Sequence, residues 1–190
     1  MLTKYKMRIL NKEASSSKNK PDEIIEHLNI KEGITVGDIG CGGGFFTYEF
    51  SKRVGDEGIV YAIDVDRKSL ELLTDSLKNE GNKNVKTIIA TQDGIDLPEE
   101  SVDLFFLRNV FHHLQEPVEY FEHLKKSLKE DGKIAIIDHK NRKLSFTGLF
   151  GHYTPLNVLL DIMDRAGFRP QENYDFLEDQ LFIMFYKKLI

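Results

Sequence analysis

Apolar positions along this chain switch repeatedly between two periods. Short apolar runs at 34–39, 58–63, 85–90, 102–107 and 133–138 read as strands. Between them, apolar residues recur three and four apart, the spacing of one helical face. Ile24, Ile25 and Leu28 follow Pro21, which suits a first helical turn. A second helix is predicted near 45–54. Leu70, Leu73 and Leu77 form the face of a third, which Asp66 can cap and Gly81 can end. Val118, Phe121, Leu124 and Leu128 follow Pro117 and precede Gly132. Thr154 and Pro155 give a cap and a first-turn signal for a last helix through Leu159, Ile162 and Met163, stopped near Gly167. Two strand-like runs close the chain, at about 168–175 and 181–187. Residues 11–20, NKEASSSKNK, are polar and serine-rich and read as a loop or mobile segment.

Strands alternating with helices imply parallel strands joined by crossover helices. Runs such as ITVGDI and KIAIID are apolar on both faces, as a sheet covered on both sides requires. The expectation is an α/β, doubly wound, mostly parallel sheet between helical layers. Residues 21–190 read as a single domain preceded by an arm at 1–20, with no internal repeat. An open sheet of this kind binds ligands beyond the carboxyl ends of its strands. The residues just after each strand are therefore the ones to inspect.

Charge changes this picture at one place. Lys4, Lys6, Arg8, Lys12, Lys18 and Lys20 face one acid, Glu13, so residues 1–20 carry +5; against a chain total of −5, the remainder carries −10. An acidic body argues against a nucleic-acid partner. The basic arm is a solvated segment, or one that folds over a substrate or meets an acidic neighbour. The single cysteine, Cys41, allows no internal disulfide and no Cys-based metal site, and it suits a reducing cytoplasmic setting. No stretch reaches membrane-spanning length.

The densest signal follows the first strand: Asp38-Ile39-Gly40-Cys41-Gly42-Gly43-Gly44. Glycines here allow a sharp strand-to-helix turn and let a ligand approach bare main chain. A dinucleotide fingerprint counted from Gly40 would place its third glycine at 45, where Phe45 stands. No phosphate cradle is evident, and the Asp38 carboxylate suits a cationic amino group instead. Asp64 ends the second strand, 20 residues past Gly44, where an acid can accept from two ribose hydroxyls. After the third strand, Asp93 can accept from an exocyclic amine such as that of adenine, and Gly94 leaves its N–H accessible.

DIGCGGG, then YAIDVD, TQDGIDLPEESVD and FFLRNVFHHL, resembles the class I S-adenosylmethionine-dependent methyltransferases. Within them the likeness is to the small-molecule, quinone-biosynthesis-like (type 11) branch, and it covers about residues 20 to 138. The resemblance implies a seven-stranded Rossmann-like sheet, a three-layer sandwich whose last strand is inserted antiparallel. It implies that Asp38 and the main chain of Gly40, Cys41 and Gly42 hold the methionine part of the cofactor. Asp64 would bind the ribose, Val65 would pack on adenine, and Asp93 and Gly94 would meet the adenine edge. The main chain of Arg108 and Asn109 would line the methionyl end. The chain departs from the pattern at Gly37 and Gly43, where larger residues are commoner; neither change removes a polar contact.

Methyl transfer from a sulfonium needs in-line positioning and exclusion of water, and a base only where the acceptor must lose a proton. The candidate bases are His112 and His113 after the fourth strand, His139 after the fifth, and His152 and Tyr153 before the last helix. The segment 139–153 is long for a connection, and its Phe146, Leu149, Phe150 and Tyr153 suit a cover over cofactor and acceptor. His27 and His123 read as structural or surface groups, and no two histidines have helical metal-ligand spacing. The expected activity is transfer of a methyl group to a small-molecule acceptor by a monomer or homodimer, with no metal and no nucleic-acid partner. The rival classes are a non-catalytic S-adenosylmethionine-binding regulatory module and, less favoured because of Phe45, a nicotinamide-dependent oxidoreductase.

Overall fold

The computed structural model describes residues 2–91, 94–140 and 153–188. Seven strands form one mostly parallel sheet in the order β3-β2-β1-β4-β5-β7-β6. The strands are β1 (Thr35–Ile39), β2 (Ile59–Asp64), β3 (Val85–Ile89), β4 (Val102–Arg108), β5 (Leu128–His139), β6 (Phe168–Tyr174) and β7 (Gln180–Lys187). The chain divides into two compact units, Met1–Ile95 and Asp96–Ile190.

In the first unit, β2 pairs in parallel with β1 and with β3. Helices α2 (Pro21–Leu28), α3 (Phe45–Val54) and α4 (Arg67–Asn79) stand where their apolar spacing predicts them. Asp66 caps α4 as expected, accepting from the amides of Lys68 at 3.1 Å and Ser69 at 3.3 Å. Ile39 is level with Ile63, so the glycine turn leaves β1 beside Asp64, the last residue of β2.

The stretch 11–20, expected to be a loop or mobile segment, is in part helical. Leu2–Ala14 forms a helix, α1, followed by a short 3₁₀ turn at Ser17–Asn19. Met7 packs against the buried cluster of Cys41, Ala62, Leu70, Leu73 and Leu77, and Ala14 is buried. Asn11 reaches the glycine turn with both ends of its amide. Its Nδ2 donates to the carbonyl of Gly43 at 2.8 Å, and its Oδ1 accepts from the amide of Phe45 at 3.2 Å. Asn11 thus satisfies an otherwise orphaned donor at the start of α3. Its inward face was hard to recognise because a polar residue occupies its centre.

In the second unit, β4 and β5 are parallel, and β7 lies antiparallel between β5 and β6. This is the inserted last strand that the family resemblance implies. Helices α5 (Pro117–Ser127) and α6 (Leu156–Arg165) complete it. Its core includes six fully buried phenylalanines, Phe105, Phe106, Phe121, Phe168, Phe182 and Phe185. Two boundaries differ from expectation. Leu128 opens β5 rather than continuing α5, because it pairs with Val102. Pro155, not Thr154, is the cap of α6, because the Thr154 hydroxyl is engaged by Asp138.

A Cβ added at Gly43 would run into the Asn11 side chain and the Met7 carbonyl. Gly43→Ala is therefore expected to push α1 from the turn and to cost about 1–3 kcal/mol, read as a lower urea midpoint.

Candidate functional site

In the first unit, two carboxylates organise the turn after β1. Asp64 Oδ2 accepts from the amide of Gly42 at 2.9 Å, and Oδ1 accepts from the amide of Asp66 at 2.9 Å. Asp38 lies buried and accepts from the Thr47 hydroxyl at 2.6 Å. Burial pushes its carboxyl from 3.8 up to about 7; the charge of Asp64 adds to this, and the Thr47 hydrogen bond opposes it. A carboxyl in this state gains from any cation that replaces its proton.

Five of the six amides from Gly40 to Phe45 are consumed within the chain. Gly40 and Cys41 both donate to the carbonyl of Ile63, at 2.8 and 3.1 Å. Gly42 donates to Asp64, Gly44 to the Cys41 carbonyl at 2.8 Å, and Phe45 to Asn11. A phosphate cradle needs such N–H groups turned outward. This turn has spent all of them but that of Gly43, and an acid with a raised pKa lies beneath it. Its chemistry favours a cation over an anion.

The other expected contacts are distributed unevenly. Cys41 is buried in the apolar cluster, where burial raises its thiol pKa. Val65 is 76% exposed, an unusual position for an apolar residue directly beside two ordered acids. Gly94 does not leave its N–H open: it donates to the Thr91 carbonyl at 3.3 Å. Gln92, Asp93 and residues 141–152, with His152, Phe146, Leu149 and Phe150, lie outside the described residues.

In the second unit, Asn109 takes a left-handed backbone, φ 57°, at the exit of β4. Its amide donates to the carbonyl of Ile137 at 2.8 Å, extending the ladder by one bond. Its side-chain Oδ1 accepts from Gln180 Nε2 at 2.6 Å, and Arg108 Nη2 donates to Gln180 Oε1 at 3.5 Å. Gln180, the first residue of β7, was not singled out in the sequence; nothing in its local pattern marks it.

His112 stands on a 3₁₀ turn (Phe111–His113) just beyond. Asp138, fully buried near the end of β5, draws four donors to its two oxygens. The His112 imidazole Nδ1 lies 2.7 Å from Oδ1, and the His139 amide donates to the same oxygen at 2.9 Å. The His112 amide at 3.0 Å and the Thr154 hydroxyl at 2.9 Å donate to Oδ2. A carboxylate accepting from all sides makes Nδ1 the protonated ring nitrogen. The rings of His113 and His139 lie 4.0 and 6.3 Å from that of His112. The structure thus separates the adjacent histidines by role, with His112 oriented by a buried acid. Tyr153, half-buried, precedes Thr154. Among the described residues, no three of His, Cys, Asp and Glu are grouped as a metal centre needs.

Residues 30–157 match the family model described as "Methyltransferase domain", and the chain belongs to that family. It is similar to a solved S-adenosylmethionine-dependent methyltransferase from Aquifex aeolicus, with a TM-score of 0.85, 29% identity, and coverage of 95% of this chain and 96% of that one. Among curated relatives, it is 27% identical over 119 residues to a tRNA U34 carboxymethyltransferase of Aeromonas hydrophila. That match takes in 62% of this chain and 35% of the relative, so the chain spans about a third of that protein's length. It is 27% identical over 161 residues to a ubiquinone/menaquinone biosynthesis C-methyltransferase of Neisseria meningitidis, covering 83% of this chain and 63% of the relative.

Two outcomes follow from the buried carboxylates. Asp38 holds its proton in the folded chain to about pH 7, whereas an unfolded aspartate loses it near 3.8. The unfolded state binds fewer protons between these values, so stability falls as pH rises through that window and levels off above it. Asp38→Asn is expected to flatten this decline, on the order of a few kcal/mol, in denaturant titrations across that range. Asp138→Ala orphans four donors and is expected to cost about 2–5 kcal/mol in the same titrations, against about 1 for Thr154→Val.

Proposed function

We propose that this chain binds S-adenosylmethionine and catalyses transfer of its methyl group to a small-molecule acceptor. The observation that carries this reading is the turn after β1: five of its six amides are spent inside the chain, and it overlies a buried acid with an elevated pKa. This arrangement fits the methionyl ammonium of the cofactor and does not fit the pyrophosphate of a dinucleotide. The exposed Val65 beside Asp64 fits the flat face of adenine, with Asp64 turning toward the ribose hydroxyls.

The cofactor supplies a methyl group already activated by its sulfonium. The chain's own task is to bind, to orient and, for an acceptor with an acidic O–H, N–H or C–H, to remove a proton. Asp38 exchanges its proton for the ligand's ammonium. Asp64 exchanges the amide of Gly42 for ribose hydroxyls. The Asn109–Gln180 pair holds the β4 turn in its left-handed conformation. His112 is the strongest of the candidate bases, because Asp138 fixes its tautomer and the orientation of its ring. An acceptor of small-molecule class accords with the acidic charge of −5 and with the quinone-biosynthesis activity of the Neisseria relative. The Aeromonas relative makes tRNA the competing class.

Isothermal titration with S-adenosylhomocysteine is expected to show micromolar-range binding that weakens at least about thirtyfold in Asp64→Ala, through loss of charge-assisted hydrogen bonds. NADH is expected not to bind; binding of NADH in place of S-adenosylhomocysteine overturns the reading. In a screen of quinols, phenols, amines and tRNA with labelled methyl donor, turnover of a small molecule is the expected result. With that acceptor, His112→Ala and Asp138→Asn are expected to lower kcat by about 10²–10⁴ while leaving S-adenosylhomocysteine affinity intact.

A further inference from the structure

Helix α1 has two faces of opposite use. Met7, Asn11 and Ala14, at steps of four and three, turn toward the glycine turn and the α4 cluster. Leu2, Tyr5 and Ile9, also at steps of three and four, form a stripe on the other side, exposed by 84%, 66% and 50%. Of the seven large apolar residues exposed among the described residues, four, with Leu10, lie on this one helix. A stripe of this kind loses free energy in water and gains it in any apolar medium. Its surroundings say which medium. Arg8 and Lys12 form a row along one flank, Lys4 precedes them by one turn, and the only acid of the helix is Glu13. Lys6, on the other flank, pairs with Asp66 at 3.6 Å. Among the described residues, no carboxylate pairs with Lys4, Arg8 or Lys12.

We infer that the outward face of α1 docks on an anionic lipid bilayer, with Leu2, Tyr5 and Ile9 entering the interface and Lys4, Arg8 and Lys12 meeting the headgroups. Apolar residues flanked by cations are the pattern of a helix lying in the interface plane, and each cation near such a surface contributes about fivefold. A second copy of the chain fits this face less well: an isologous contact would set the same cations against one another. RNA fits it less well too, because Leu2 and Ile9 offer nothing to phosphate or base edges. The inward face stays on the body throughout, so docking needs no unfolding of α1. The inference does not depend on the methyl-transfer reading.

The test is co-sedimentation of the whole chain with phosphatidylcholine vesicles containing about a quarter phosphatidylglycerol. Light scattering and an RNA gel shift run in parallel. The expected result is binding to these vesicles, none to pure phosphatidylcholine, and release at about 0.5 M salt. Leu2→Ser/Tyr5→Ser/Ile9→Ser and Lys4→Glu/Arg8→Glu are each expected to lower binding at least tenfold. Both sets leave Tm unchanged, because these side chains are exposed. Absence of vesicle binding, or equal binding by the apolar variant, overturns the inference. So does a dimer that the apolar variant dissolves, or an RNA shift that only the charge variant abolishes. Because no cofactor or acceptor enters the assay, its failure leaves the proposed activity standing.

Discussion

The carboxylate of Asp64 ties the turn after β1 to the end of β2, and the rest of the first unit is arranged around that tie. It takes the amide of Gly42 on one oxygen and that of Asp66 on the other, so one side chain sets the turn and the entry to α4 together. Asp38 sits beneath the same turn, and the proximity of the two acids is part of what keeps Asp38 protonated. Asn11 closes the far side by bonding Gly43 and Phe45. With five of its six donors consumed and its acids concentrated, the turn has an electrostatic preference before any ligand arrives.

The second unit repeats the logic with different residues. A buried acid near a strand end, Asp138, collects donors from the β4 exit, from its own strand and from the approach to α6. Burying an ionised carboxylate is costly unless it is fully hydrogen-bonded, and four donors meet that requirement. The arrangement also fixes one imidazole nitrogen of His112, a condition for directional proton transfer. Structural satisfaction and chemical preparation are thus carried by the same bonds.

The strands and α2 to α5 were legible because burial on one or both faces writes itself into apolar spacing. Asp66 was legible as a cap because it directly precedes its helix. The insertion of β7 between β5 and β6 was legible only through family resemblance, since strand order leaves no local mark. The end of helix α1, residues 11–14, was read as part of a loop, because Asn11 occupies its inner face while Leu2, Tyr5 and Ile9 point outward. The occupied amides of the turn and of Gly94, and the bonds of Asp138 to residues 26 and 16 positions away, are long-range facts. Thr154 shows the consequence: a sound local capping signal yielded to a buried acid that needed its hydroxyl.

Hydrogen exchange with and without S-adenosylhomocysteine tests the central claim most directly, because it reports where a ligand acts as well as whether it binds. Protection concentrated in peptides spanning Asp38–Tyr48 and Ile63–Ser69, with none conferred by NADH, is the expected result. Unchanged exchange in both peptides at saturating S-adenosylhomocysteine, or protection conferred there by NADH, would contradict it.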